Sequence, residues 1–241
     1  MKPVTLVACA ASAILVAGCG GGDGPKPNSG GNPREGRASS VGDGNSSTPP
    51  KIGAAVEKAA ADAGCTVKAW LSDARVTDST GAVPGPRQHN ETSLTYTVSI
   101  PPTSGAHSGV WAHWGFYDQA VPYNHVVHNM EHGGVIVHYG SGVSAANIEA
   151  LKTFWRDEPA YLVVTPDVSP SFPKDGVVVT SWQRWMVCKP FKASQVAALK
   201  TYRDTFRGSG PENIKGDTGL SRNTSANAPG LPTPLLPDPR A

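Results

Sequence analysis

The chain has 241 residues, with 21 Lys plus Arg set against 19 Asp plus Glu, a net charge of +2 and 17% charged residues. That balance carries no basic footprint for a nucleic acid and no acidic run. The length allows one domain with a full core once its Gly- and Pro-rich ends are set aside.

Residues 1–18 read as a lipoprotein signal peptide. Lys2 supplies the positive start, Val4 to Ala17 the apolar run, and Val16-Ala17-Gly18-Cys19 the small-residue box before a cysteine. About fifteen apolar residues fall short of the ~20 that a spanning helix needs. The segment resembles those of bacterial lipoproteins, in which the cysteine is diacylated and becomes the first mature residue. The resemblance implies a protein lipid-anchored through Cys19 on the periplasmic or outer face of a bacterial membrane, with that membrane as a partner. Residues 19–50, rich in Gly, Pro, Ser and Asn, read as a disordered tether.

Residues 51–207 read as a single His-rich domain. Ile52 to Ala63 is Ala-rich with apolar residues at helical spacing, and Gly64 closes it. Thr66 to Leu71 alternates like a strand, Asp73 to Pro86 carries turn signals, and Leu94 to Val98 is a second short strand. Pro101-Pro102-Thr103-Ser104-Gly105-Ala106-His107 predicts a rigid loop that delivers His107 to one place. Trp111, Trp114, Phe116 and Tyr117 form a cluster suited to a core or a pocket wall. Val135 to Tyr139 is a strand with Val135, Val137 and Tyr139 opposite Ile136 and His138. Ser144 caps a helix to about Asp157. Further β-rich runs lie at Ala160–Thr165, Gly176–Trp182 and Arg184–Cys188. Ser194 is the expected cap of a last helix through Phe206. Residues 208–241 read as a disordered Pro/Gly/Ser-rich tail. The pattern predicts an α/β (α+β) single-domain sandwich with a mixed or antiparallel sheet and flanking helices.

The chain holds four cysteines. Cys9 leaves with the signal and Cys19 takes the lipid, so Cys65 and Cys188 remain. An exported protein most often joins such a pair; the alternative is that one thiolate binds metal.

All seven histidines lie between Arg87 and Tyr139: His89, His107, His113, His125, His128, His132 and His138. Imidazole is the commonest metal ligand and titrates near neutrality. His128 and His132 are four apart with Glu131 beside the second. On a helical turn they lie about 6 Å apart on one face and can share an ion; on a strand they lie roughly 13 Å apart and cannot. A metal site at this pair therefore requires a helical turn at 128–132, which Gly133 is suited to end. His89 and His107 are the candidate completing ligands. His113, His125 and His138 occupy no motif position. Met130, on the opposite side of such a turn, suits a core better than copper(I).

Glu131 has three open roles: ligand, orienting acceptor for a ligand, or general base acting on metal-bound water. The order H-x-x-E-H is similar to the inverted zinc-peptidase motif, but paired glycines and a strand follow at once. Imidazoles with one carboxylate suit a divalent transition metal, copper or zinc.

Several strings together resemble the bacterial domain-of-unknown-function family 3105. They are Pro101-Pro102-Thr103-Ser104-Gly105 with His107, Gly115-Phe116-Tyr117-Asp118, Val121-Pro122, Val127-His128-Asn129-Met130-Glu131-His132-Gly133, Val163-Val164-Thr165-Pro166 and the strand ending at Trp182. The likeness covers roughly residues 60–207, and its pattern carries over to His89, His107, His128, Glu131 and His132. Position 130, commonly Leu in such proteins, is Met. The family supplies no activity. Three functions remain open: a metal-binding or metal-handling lipoprotein, a metal-dependent enzyme using Glu131, and a metal-free envelope module with a protein or small-molecule ligand.

Overall fold

Strand β5 (Val135–Gly140) is buried along its whole length, with helices against both of its faces. The computed structural model describes residues 48–70, 75–85, 87–90, 93–97, 101–212 and 231–239. The signal segment, Cys19 and nearly all of the tether lie outside the described residues.

The elements follow in chain order. Helix α1 spans Ala54–Asp62, β1 Thr66–Ala69, β2 Arg75–Thr77, β3 Thr95–Thr97 and β4 Gly115–Phe116. Helix α2 spans Tyr123–Glu131, then come β5, α3 (Ala145–Asp157), β6 (Leu162–Asp167), β7 (Val177–Ser181), β8 (Arg184–Cys188), α4 (Val196–Phe206) and β9 (Leu236–Pro237). Seven strands form one mixed sheet in the order β1-β8-β7-β5-β6-β4-β9, while β2 and β3 pair separately. Strands β4, β6 and β5 run parallel, and β5-β7-β8-β1 alternate in direction. This is the α/β single domain that the alternation of element types predicts.

The period-2 pattern sorts β5 between two cores. Val135, Val137 and Tyr139 join Leu162, Val164, Val177 and Val179 beneath α1, α3 and α4. Ile136 and Val163 face the other way, onto Val126, Val127 and Met130 of α2 and the rings of Trp114, Tyr117 and Trp182. Met130 is fully buried there, as a gap-filler. His138, also on this face, is 1% exposed between Asp167 and Thr180.

Two local expectations need correction. Ser194 does not cap the last helix: it lies in a 3-10 turn, Ala193–Gln195, and Gln195 folds back to accept the Lys192 N–H at 2.8 Å. The segment read as a tail is part of the fold at two places. Residues 208–212 return to the end of α2 through Gly208 N–H to the Gly133 carbonyl at 2.8 Å. Leu236–Pro237 adds an antiparallel edge to β4. No periodicity marks either, because both depend on partners about a hundred residues away in sequence.

Cys65 and Cys188 form a disulfide, with Cα atoms 4.4 Å apart and 123 residues separating them. The bond lies beside the β1–β8 ladder, where Thr66 pairs with Val187. It points to an oxidising, extracytoplasmic location. No described helix is long and apolar enough to cross a membrane. A closed loop of this size contributes about 3–5 kcal/mol by restricting the unfolded chain. A non-reducing peptide map should therefore recover the Cys65 and Cys188 peptides joined, and Cys65→Ser with Cys188→Ser should lower the melting temperature by about 6–20 °C. Separate peptides in the map would refute the bridge.

Candidate metal centre

Helix α2 presents the site from one face. Pro122 opens it, and Gly133, at φ 86°, ends it where only a residue without Cβ fits against Gly208. Residues 128, 131 and 132 share the face turned from the sheet, while Val126, Val127 and Met130 anchor the other to the core. Asn129 fastens the helix to the preceding loop: its Oδ1 accepts the Ala112 N–H at 2.9 Å and its Nδ2 donates to the Ala112 carbonyl at 2.8 Å.

The loop 101–108 is buried throughout. Its backbone turns at Gly105, φ 116°, and the tip of the β7–β8 hairpin holds it, Gln183 N–H donating to the Thr103 carbonyl at 2.9 Å. Tyr96 donates its hydroxyl to the Ala106 carbonyl at 2.6 Å. His107 emerges fixed and fully buried, against the edge of Trp182. His89 is hung on the same loop by backbone: His107 N–H donates to the Gln88 carbonyl at 3.1 Å and Asn90 N–H to the His107 carbonyl at 2.8 Å.

These three routes bring His89, His107 and His128 together. Their ring centroids lie 5.0, 4.8 and 5.1 Å apart. One nitrogen from each falls within 4.8 Å of the others, a spacing that can hold a metal ion. A tetrahedral ion with bonds of 2.0–2.1 Å wants its ligands about 3.4 Å apart, so the group has to draw closer to hold one. His107 and His128 are buried, and His89 keeps half its side chain in solvent.

Two of the rings are set for that geometry. His128 donates Nδ1–H to the Ser108 carbonyl at 2.6 Å, and His107 Nδ1 faces the Gly105 carbonyl at 2.9 Å. A neutral imidazole has one N–H, so bonding Nδ1 to a carbonyl turns Nε2 into a lone-pair donor for metal. The His107 Nε2 also lies 2.9 Å from Glu131 Oε2. With oxygens against both nitrogens, the His107 ring needs a second proton or a cation at Nε2 to satisfy both.

Glu131 is 2% exposed and faces three side chains at once. Arg87 donates Nε–H to its Oε1 at 2.9 Å, while Nε2 of His107 and of His89 lie 2.9 and 3.5 Å from its Oε2. Burial pushes this carboxyl up, but the hydrogen bonds and charges of His107 and Arg87 outweigh it and bring it down to about 2. Burial also lowers His128 to about 3 and His138 to about 4, the latter against the pull of Asp167. His132 is lowered by burial, against the pull of Glu212 and Glu131.

The remaining candidates sort as follows. His132 stands outside the three-histidine group, its Nε2 lying 2.6 Å from Nε2 of His128. His125 faces the Val110 carbonyl through Nδ1 at 2.6 Å, and His138 lies within the sheet core. Cys65 and Cys188 are bonded to each other, which removes the thiolate-ligand alternative. Cys19 lies outside the described residues. Sequence reasoning assigned no role to Arg87, Asn129, Ser108 or Glu212. None belongs to a metal-ligand pattern, and only the contacts made in the fold reveal them.

The model of a family described as "Protein of unknown function (DUF3105)" matches residues 87–216, and the chain belongs to that family. No similar curated protein and no similar solved structure was found.

The lowered histidines fix the direction of the metal-free protein's pH dependence. His128 and His138 stay neutral in the folded state to about 3 and 4, whereas the unfolded chain takes up their protons near its ordinary value of about 6.5. Stability is therefore undiminished by these groups above about 6.5 and falls below it, by up to about 1.4 kcal/mol per pH unit for each. Calorimetry of metal-free protein should show the melting temperature dropping steadily from pH 7 to 5, and less steeply in His138→Gln. A flat profile over that range would show that the buried rings are not held neutral.

Proposed function

We propose that this DUF3105 chain is an extracytoplasmic metal-binding protein in which His89, His107 and His128 hold one divalent transition ion, copper or zinc. The observation that carries the reading is the set of tautomers: backbone carbonyls at Nδ1 of His107 and His128 leave two buried Nε2 atoms as the ligand atoms of a group that His89 completes. Imidazole ligands suit copper and zinc, and affinity order alone favours copper(II). The Glu131 carboxylate beside His107 supplies negative charge that offsets part of the ion's own.

Binding and handing on fit the site better than hydrolysis does. A general base working near neutral pH wants a pKa near its operating pH. Glu131, brought down to about 2 and clamped by Arg87, is a weak base in this setting. The half-exposed His89 gives a metal its way in and out, while the two buried ligands stay fixed.

The test is calorimetric melting with Zn²⁺, Cu²⁺ or a chelator at pH 7.5. At a thousandfold excess of metal over Kd the native state gains about 4 kcal/mol, which in a domain of this size raises the melting temperature by about 10 °C. His107→Ala and His128→Ala should remove the gain while the domain still folds. Trp111, 5.2 Å from the His128 ring, should lose fluorescence as Cu²⁺ fills the site. Absence of any metal-dependent shift in the wild-type protein would falsify the reading.

The same proposal has the domain tethered to a membrane through lipid on Cys19, supported by the Val16-Ala17-Gly18-Cys19 box. Expressed in a bacterium, the wild-type protein should partition into a detergent phase and Cys19→Ala into the aqueous phase. Equal partitioning of the two would remove the anchor.

A further inference from the structure

The two ring nitrogens of His132 have unlike neighbours. Its Nε2 lies 2.6 Å from Nε2 of His128. His128 already donates its Nδ1 proton to the Ser108 carbonyl, so its Nε2 is a lone pair. The short N···N contact therefore requires the His132 proton on Nε2. His132 Nδ1 is left as a bare lone pair, buried and without a hydrogen-bond partner. The Glu212 carboxylate lies beside it, with Oε2 3.2 Å away. In the neutral ring the buried Nδ1 lone pair faces this carboxylate, whose side chain is 36% exposed, with no proton between them, an arrangement that a buried polar atom normally avoids.

The chain builds this juxtaposition deliberately rather than leaving a stray side chain near a ring. After α4 the backbone returns to the end of α2, with Gly208 N–H bonded to the Gly133 carbonyl and Glu212 N–H 3.4 Å from the Glu131 carbonyl. At Gly210 any Cβ would collide with the Glu131 carbonyl, so the close approach depends on glycine there. The family match runs through this segment, to residue 216.

The His132 N–H also occupies the atom that the metal needs. The Nδ1 of His128 is committed to Ser108, so Nε2 is its ligand atom, and His132 covers it in the metal-free form. An ion that takes His128 has to break the His128–His132 bond. We propose that His132 is a tautomer switch gated by Glu212. On metal binding, the His132 proton leaves Nε2 and a proton arrives at Nδ1, where Glu212 accepts it, and the freed Nε2 becomes a fourth ligand beside His89, His107 and His128. The exchange runs through water and leaves the charge of His132 unchanged. One N–H···N bond is replaced by a charge-assisted N–H···O bond and a metal bond. Glu212 is then a positioning residue, the carboxylate of a carboxylate–histidine–metal arrangement. The two Nε2 atoms separate from 2.6 Å to about 3.4 Å, the edge of a tetrahedron with 2.0–2.1 Å bonds. His132 is placed for that movement as the C-cap of α2, one residue beyond its last helical position.

The inference rests on the metal-binding reading, and the experiment separates the two. Protein labelled with ¹⁵N-histidine is followed by long-range ¹H–¹⁵N spectra without metal and with Zn²⁺, which report the protonated nitrogen of each ring. The expected result is His132 protonated on Nε2 without metal and on Nδ1 with Zn²⁺. Glu212→Ala should weaken Zn²⁺ binding about 10–100-fold, and Glu212→Gln, which keeps an acceptor oxygen without the charge, should weaken it less. His132 still protonated on Nε2 in a Zn²⁺-loaded protein, or Glu212→Ala binding Zn²⁺ as tightly as wild type, overturns the switch and leaves the three-histidine site standing. Wild-type protein that binds no Zn²⁺, Cu²⁺ or other divalent transition ion overturns both.

Discussion

A carboxylate placed out of water must be surrounded by donors, and the Glu131 carboxylate, 3% exposed as a side chain, imposes that requirement on everything near it. Its partners come from separate places: Arg87 and His89 from a turn-rich segment, and His107 from the Pro101–Ser108 loop. Facing one anion, His89 and His107 converge beside His128, which α2 and the Ser108 carbonyl hold, and the three imidazoles come within reach of one ion. Removal of the carboxylate would leave Arg87 and His107 without their common partner and the site without its charge balance. The pull of the carboxylate is therefore structural first, and chemical as a consequence.

The local parts of this arrangement were legible in the residue order. The four-residue spacing of His128 and His132, with Gly133 behind them, predicts a helical turn that α2 contains, and the alternation of Val135 to Tyr139 predicts which side chains face which core. Pro101 to His107 announces a fixed loop, and the loop is buried and held at Thr103, Gly105 and Ala106. These are periodicities and backbone restrictions carried within a few residues. What was illegible depends on distant partners. Nothing near Asn129 announces that it clamps Ala112, nothing near Leu236 that it will pair with Phe116, and nothing near Glu212 that it will meet His132. Ser194 shows the converse: a good capping residue is displaced by Gln195, which reaches Lys192 N–H, Ala63 carbonyl and the helix start together.

The three histidines of the candidate site differ in how firmly they are held. His107 and His128 sit in the buried layer, each tied at Nδ1 to a backbone carbonyl and each packed against an indole, Trp182 for one and Trp111 for the other. His89 is attached through a single bridge of backbone and is half open to water. Two fixed rings would reduce the ordering that binding of an ion must accomplish, while one accessible ring would let exchange proceed without opening the core. A site closed on all sides by buried side chains would hold an ion as permanent structure. The asymmetry here suits an ion that arrives and departs.

The disulfide and the imidazoles answer the same compartment. Under oxidising conditions a free thiolate is drawn into disulfides or up the oxidation ladder, and is an unreliable ligand. The folded domain commits Cys65 and Cys188 to each other, beside the β1–β8 ladder and on the far side of the sheet from α2. The ligand set that remains is nitrogen with a neighbouring carboxylate, which oxidation leaves intact. Such a set favours the borderline ions over those that seek sulfur. Burial then lowers His128 far enough that its Nε2 lone pair is not lost to protonation near neutral pH. The chemistry of the site thus follows from where the chain's few cysteines went, and from how deeply α2 was set into the molecule.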